Sequence, residues 1–332
     1  MDSIPSEALR PIEVLSSIEP FVKEQLGLLL PTDKAWQPTD YLPDFTGETW
    51  IEEVKDMRER AAMLSDEALV VLVANMVTEE ALPTYSAALN LIARDTSGVS
   101  DAPWAVWSRG WTSEENRHGD LLSAYLRLTG RVDMRGVELT VHNLLANGFA
   151  HRTDNDIYGG LVYTSFQERA TRVSHTNVGR LAANCGDKRL AKICAKIAGD
   201  EARHEAFYTR MMGKVLDLDT EAGMVTIGSI LRRGIAMPGK LMDDGQDPDL
   251  FEHFATVAQR IGVYTARDYA AIVEHLVDTW QIAARRVTGK AARMQDLVCS
   301  LAQKVNAKAD RMLELVKEQP AIPFSWIHNR KV

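Results

Sequence analysis

The stretch Trp107-Ser-Arg-Gly-Trp111-Thr-Ser-Glu-Glu115-Asn-Arg-His118-Gly-Asp-Leu-Leu122-Ser-Ala-Tyr125 decides the fold. Trp107, Trp111, Glu115, His118, Leu122 and Tyr125 recur at steps of three and four, so they share one face of a helix predicted over 103–129. A carboxylate and an imidazole therefore stand in the middle of an apolar, aromatic stripe. Burying a lone carboxylate costs several kcal/mol unless it is paired or bound to metal. The stripe thus predicts a partner for Glu115 and His118.

A second helix, predicted over 187–216, repeats the pattern. Leu190, Cys194, Ile197, Glu201, His204, Tyr208 and Met211 form one face, again with Glu-x-x-His at its centre. A single such break reads most simply as a satisfied ion pair. Here each break is also preceded by another stripe-borne glutamate. Glu168 follows Leu161 and Thr164 and leads on to Thr171 and His175; Glu79 follows Leu72 and Met76. Glu, then Glu-x-x-His, occurring twice, is the ligand pattern of di-iron four-helix bundles. The expected fold class is therefore all-α, a ferritin-like four-helix bundle core extended by additional helices. Glu79, Glu115, His118, Glu168, Glu201 and His204 are the expected ligands of two metal ions. Oxygen-rich ligation favours iron or manganese over zinc. Iron is preferred because dioxygen activation gives a reason to keep coordination positions open. Spacing alone does not choose between Glu79 and Glu80, because Glu80 also reaches the stripe through Val73 and Val77.

From Asp66 onward the apolar spacing is helical nearly throughout, with no sustained period-2 alternation. Further helices are predicted over 66–94, 159–185 and 268–287. Asp66 is the expected N-cap of the first, Pro83 its expected kink, and Gly130 and Gly186 expected helix ends. A short helix is predicted around Ile18–Leu29, followed by a Pro-rich segment, 34–43, that Pro38 and Pro43 keep from forming a long helix. The tail Phe324-Ser-Trp-Ile-His328 reads as a packed, non-helical end. No low-complexity linker divides the 332 residues, so one domain is expected, with 1–45 an N-terminal extension packed on the bundle.

Composition narrows the function classes. Hydrophobic residues make up 45% and charged residues 25%, ordinary for a globular chain. The longest clean apolar run, Leu69 to Ala74, is far short of the roughly 20 residues of a membrane helix. Met1 to Pro11 has neither the form of a secretory signal nor that of an Arg- and Ser-rich transit peptide. A soluble protein is expected, of the plastid stroma in mature form or of bacterial cytoplasm. Cys185, Cys194 and Cys299 are too scattered for a disulfide framework or a zinc site. The formal net charge of −8 argues against a nucleic-acid partner.

Longer strings carry a family resemblance. They are Thr78-Glu-Glu-Ala-Leu-Pro-Thr-Tyr85, Trp111-Thr-Ser-Glu-Glu-Asn-Arg-His-Gly-Asp120, Gly130-Arg-Val-Asp-Met-Arg135 and Tyr163-Thr-Ser-Phe-Gln-Glu-Arg-Ala-Thr171. They continue with Asp200-Glu-Ala-Arg-His-Glu205, Val257-Ala-Gln-Arg-Ile-Gly-Val-Tyr-Thr-Ala266 and Pro323-Phe-Ser-Trp326. From about Trp36 to the C-terminus the chain resembles the soluble acyl-acyl-carrier-protein desaturases, the plant stearoyl type most closely. The resemblance implies that Glu79, not Glu80, is the ligand. Glu79 and His118 then complete one metal, Glu168 and His204 the other, with Glu115 and Glu201 bridging. It implies that Thr171 serves bound oxygen or a proton pathway, and that Trp36 and Asp200 carry electrons towards His118. The plain alternative for Thr171 is a hydroxyl bonded to the preceding turn.

The same resemblance places an acyl tunnel past Ala88, Ile92, Thr153, Gly160 and Leu161. Ala88, Ile92 and Leu161 stand where Met, Leu and Phe are usual, and His151 replaces a proline, so the pocket end is expected to be reshaped. Acyl carrier protein, reduced ferredoxin and a second copy of the chain are the implied partners. Docking an acidic carrier needs positive charge, for which Lys55, Arg58 and Arg60, or Arg232, Arg233 and Lys240, are candidates. The implied reaction is oxygen-dependent insertion of a double bond at carbon nine of stearoyl. The alternatives are a different chain length or bond position, ferroxidase or iron-storage activity, and a binding protein without turnover.

Overall fold

Capping chemistry sets the ends of the long helices. In the computed structural model, which describes residues 6–151, 153 and 156–332, thirteen α-helices run through the described residues. They are α1 (Ser6–Ser17), α2 (Glu19–Gln25), α3 (Trp50–Ala61), α4 (Asp66–Glu80), α5 (Leu82–Ala93), α6 (Pro103–Thr129) and α7 (Met134–Asn147). Then follow α8 (Ile157–Cys185), α9 (Lys188–Leu218), α10 (Thr220–Arg233), α11 (Leu250–Arg260), α12 (Ala266–Thr279) and α13 (Gly289–Lys317). Residues 1–5 of the expected N-terminal extension lie outside the described residues.

The helix expected over 103–129 spans that range. Gly130 ends it at φ 64°, and Gly186 ends α8 at φ 94°, both in the left-handed region that glycine enters without a Cβ clash. Asp156 and Asp187 cap α8 and α9 by accepting from Gly159 N and Leu190 N. Two expectations need correction. Ser65, not Asp66, is the N-cap of α4, its hydroxyl accepting from Ala68 N. The helix expected over 66–94 is two helices: α4 ends at Glu80, and Pro83 sits in the first turn of α5, where its missing N–H costs nothing. The helix expected over 268–287 runs from Ala266 to Thr279 and stops before Gln281 at φ 52°.

α4, α6, α8 and α9 form the central bundle: α8 packs along α9, α4 on α6 and α8, and α6 on α9. Two apolar clusters fill it from opposite ends. One holds Leu69 to Val77 of α4, Leu121 to Leu126 of α6, Val178 and Ala182 of α8, and Leu190 to Ile197 of α9. The other holds Trp104, Trp107 and Trp111 of α6, Ile157 to Phe166 of α8, and Phe207 to Leu216 of α9. The six expected ligands lie in the layer between. Every side chain from Leu69 to Val77 is buried, so α4 is apolar on all faces and belongs inside the fold. α10, α12 and α13 pack together outside α8, and α11 packs on α4.

The tail is packed, as expected, but the expectation of a non-helical end needs correction: Ser325–Ile327 forms one 3-10 turn between two short strands. Pro323–Phe324 (β1) pairs antiparallel with Arg330–Lys331 (β2), and Trp326 is buried with Nε1 donating to Thr140 Oγ1 at 2.8 Å. No single helix among the described residues is long and apolar enough to cross a membrane.

Candidate metal centre

Two quartets of buried side chains meet in the middle of the bundle. Glu79, Glu115, His118 and Glu201 bring ligand atoms within 4.8 Å of one another; so do Glu115, Glu168, Glu201 and His204. Glu115 and Glu201 belong to both. His118 Nδ1 lies 3.3 Å from Glu201 Oε1, 3.4 Å from Glu115 Oε2 and 3.7 Å from Glu79 Oε2. His204 Nδ1 lies 2.7 Å from Glu115 Oε1, 3.6 Å from Glu168 Oε2 and 3.9 Å from Glu201 Oε2. The arrangement is twofold in chemistry as well as in sequence. Glu80, left open by spacing, faces away and is only half-buried.

The donor set fits a pair of metal cations. His118 Nδ1, His204 Nδ1, Glu115 Oε1 and Glu201 Oε1 are buried without a hydrogen-bond partner, although they stand close together. Four carboxylates in one dry layer need positive charge between them. Their effect on the imidazoles is direct. Burial lowers the pKa of His118 and His204, but the surrounding carboxylates outweigh it and hold both well above the ordinary histidine range. Among the carboxylates, burial raises Glu168, whereas the imidazoles overcome burial and lower Glu201.

The outer nitrogens of the two histidines are held crosswise. Asp200, next to Glu201 on α9, reaches His118 of α6: Oδ2 lies 3.3 Å from Nε2. Glu114, next to Glu115 on α6, reaches His204 of α9: Oε2 lies 3.0 Å from Nε2. Arg203 binds both acids, at 2.7 Å to Asp200 Oδ1 and also to Glu114 Oε2. Leu30 N donates to Glu114 Oε1 at 2.7 Å. Carboxylates so placed set the tautomer and the ring orientation of a ligating histidine. His175 Nε2 lies 2.9 Å from Glu79 Oε1, and Trp111 Nε1 donates to Glu168 Oε1 at 3.1 Å. Glu114 and Arg203 escaped the periodicity argument, yet the signal was present. Both helices carry acid-Glu-x-Arg-His, Glu114 to His118 and Asp200 to His204.

Trp36 joins Asp200 and His118. Its Nε1 donates to Asp200 Oδ2 at 2.7 Å, and its ring lies 6.1 Å from the His118 ring at an interplanar angle of 4°. Thr171 donates its hydroxyl to Gln167 O at 3.0 Å, the plain alternative, and also lines a cavity with Glu79, Glu115, Glu168 and Glu201.

That cavity, about 80 Å³, is one of a series. Through Leu89, Phe149 and Tyr163 it adjoins a narrow space of about 20 Å³ lined by Ala88, Ile92, Thr153 and Gly160. Four of the five expected tunnel residues therefore come together. Leu161 does not: it is fully buried in the apolar cluster and lines neither space, because on α8 it faces away from its neighbour Gly160. On the other side, through Thr78, Gln167 and Thr171, the cavity meets a cleft of about 660 Å³ between α11, α12 and α13, with Lys304 and Lys308 among its lining residues. The expected basic clusters are partly neutralised, Arg60 by Asp56 and Lys240 by Glu252.

A helical bundle with a buried, duplicated carboxylate–histidine centre beside a series of adjoining cavities is the class that fold and site define. The chain belongs to the fatty acid desaturase family, whose profile matches residues 10–328. It is 49% identical over 324 residues to the chloroplastic stearoyl-[acyl-carrier-protein] 9-desaturase 5 of Oryza sativa subsp. japonica, covering 96% of this chain and 83% of that protein. It is 48% identical to the chloroplastic stearoyl-[acyl-carrier-protein] 9-desaturase of Spinacia oleracea, covering 99% and 83%. The X-ray structure of DesA2 from Mycobacterium tuberculosis H37Rv shares the fold, with a TM-score of 0.52 at 20% identity over 85% of this chain and 99% of that one.

Proposed function

We propose that this protein inserts a cis double bond, at carbon nine, into a saturated acyl chain carried on acyl carrier protein, with stearoyl the preferred substrate. The observation that carries the proposal is the meeting of two carboxylate–histidine quartets, sharing Glu115 and Glu201, with a channel lined by apolar and aromatic side chains. Near-half identity over almost the whole chain to proteins named stearoyl-[acyl-carrier-protein] 9-desaturases supports the substrate class.

In this reading Glu79 and His118 would hold one iron and Glu168 and His204 the other, with Glu115 and Glu201 available to both. The bound iron pair would supply dioxygen activation and the oxidising power to remove two hydrogens from the acyl chain. The chain's own residues do the rest. Asp200 and Glu114 orient the two histidines. The wide cleft beside α13 admits the carrier's arm, with Lys304 and Lys308 attracting acidic side chains. Leu89, Phe149 and Tyr163 hold the alkyl segment beside Glu115 and Glu168 and exclude water. Ile92 and Gly160 bound the far end. Trp36 and Asp200 pass electrons to His118 from an external donor, a reduced ferredoxin. A homodimer is the assembly, and plastid stroma or bacterial cytoplasm the compartment. Sedimentation at micromolar concentration tests the dimer, and a monomer there rejects it.

The decisive experiment compares 16- and 18-carbon acyl carriers under single-turnover conditions, with products located by mass spectrometry. The 18-carbon chain is expected to react at least as well and to carry its double bond at carbon nine. A tenfold preference for 16 carbons rejects the stearoyl assignment, and no desaturation of either rejects the reading.

A further inference from the structure

Arg117 stands beside the centre in an unusual state. It is only 8% exposed, its Nε and Nη2 are buried without hydrogen-bond partners, and it forms no ion pair among the described residues. A guanidinium held this way is costly, so its surroundings must use the charge. Its neighbour is Trp36: Cζ lies 5.2 Å from the ring centroid. That ring lies parallel to His118 and donates Nε1–H to Asp200, whose Oδ2 also stands 3.3 Å from His118 Nε2. Trp36 therefore faces His118 by its ring and reaches it by hydrogen bond through Asp200. Tryptophan is also among the side chains most readily oxidised by one electron.

Two charges act on the indole in opposite senses. Asp200 favours loss of an electron, because it accepts the Nε1 proton as the electron departs. Arg117 opposes it, because a cation over the ring face repels the radical cation. The charge of Asp200 is already shared with Arg203, at 2.7 Å, and with His118. Arg117 has no carboxylate in ion-pair contact among the described residues, so its charge is left to act on the ring.

We propose that Arg117 protects Trp36 from one-electron oxidation, so that the indole conducts electrons towards His118 without surrendering its own. The suppressed step is defined. Trp36 would give one electron to a dioxygen-derived oxidant at the centre and its Nε1 proton to Asp200, leaving a neutral indolyl radical and an oxidant reduced by one electron. Each such event would divert an oxidising equivalent from the acyl chain. Arg117 is thus a positioning residue that acts through Trp36, and the inference rests on the redox reading of the centre given above.

The test uses the full-length protein as isolated, without substrate or dioxygen, illuminated with a ruthenium polypyridyl and persulfate. Peptide mass spectrometry reads oxidised Trp36 against Trp104, which is similarly buried, at 4% against 6% exposed, and is covered by no cation among the described residues. In the wild type, Trp36 is expected to be oxidised several-fold less than Trp104. In Arg117→Met and Arg117→Gln the ratio is expected to rise about tenfold, with Arg117→Lys remaining near wild type. Circular dichroism and thermal unfolding establish that each variant is folded. An unchanged ratio in either folded neutral variant overturns the proposal. So does an equal rise in Arg117→Lys, which would assign the effect to packing, or a wild-type Trp36 as oxidised as Trp104. Failure of the acyl-carrier assay bears on the parent reading alone, because no turnover enters this measurement.

Discussion

Glu79 and Glu80 are adjacent glutamates with different fates. Glu79 closes one quartet and is held by His175, whereas Glu80 is half-buried beside Asp120, which helps raise its pKa after burial has done so. Glu79→Gln is expected to lose one of the two metals and Glu80→Gln to keep both, as measured by metal analysis of the purified chains. A site that survives Glu79→Gln would contradict the assignment. One position further from the metals, Glu114 has no role in the ligand count but holds His204. Glu114→Ala is expected to weaken metal retention by about 10–100-fold, as for other carboxylates behind ligating histidines. Titration with a chelator measures this, and an unchanged midpoint would show that Arg203 or water replaces the carboxylate.

Helices are placed as much by what they lack as by what they carry. Gly119, one residue past His118, lies against the backbone of α4 at the ligand layer: an added Cβ would meet Glu80 N at 3.3 Å and the Glu79 carbonyl carbon at 3.4 Å. Gly119→Val therefore separates α4 from α6. The expected cost is about 1–3 kcal/mol, typical of overpacking, with Glu79 displaced and metal content reduced. Denaturant unfolding and metal analysis on one sample check both parts. Gly160 plays the corresponding role for the channel, where an added Cβ would lie 3.1 Å from Ile92 Cδ1. Gly160→Val is expected to shorten the channel and turn preference from 18-carbon chains towards 14- or 16-carbon chains. One methylene in an apolar pocket is worth about 1 kcal/mol, so the change should be roughly thirtyfold per carbon pair. Retention of the wild-type preference would place the chain elsewhere.

At the scale of the whole molecule, α8 and α9 form the most extensive helix–helix contact among the described residues. Cys194 lies within that contact, fully buried, with burial and then the charge of Asp187 pushing its thiol up to about 12. Cys299 on α13 is exposed. Under native conditions a thiol reagent is expected to modify Cys299 readily and Cys194 only at the rate of unfolding. Timed labelling with mass spectrometry distinguishes the two. Fast labelling of Cys194 would mean that α8 and α9 separate locally, and that the ligand layer opens with them.

Much of the centre was legible before any coordinate. A glutamate or histidine in an apolar stripe announces itself by periodicity, because the stripe is defined by one helix about its own axis. That is why Glu115, His118, Glu168, Glu201 and His204 could be named, and why the glycine ends at 130 and 186 were placed: a left-handed C-cap is a local demand. Glu79 needed the family resemblance, since two adjacent glutamates both touch the stripe, and only burial separates them in space. α13 carries none of the site's glutamates or histidines and received no range of its own, and only Ala291, Val298 and Ala309 of its side chains are buried. The crossed pairing of Glu114 with His204 and Asp200 with His118 joins residues 90 and 82 positions apart. The channel likewise gathers α5, α8 and the side chains of Phe149, His151 and Thr153. Helical period tells which face of a helix is buried but not which helix it will meet. Five of the six clustered side chains follow from one-dimensional spacing; their second partners, the channel and the guanidinium over Trp36 exist only once the helices have packed.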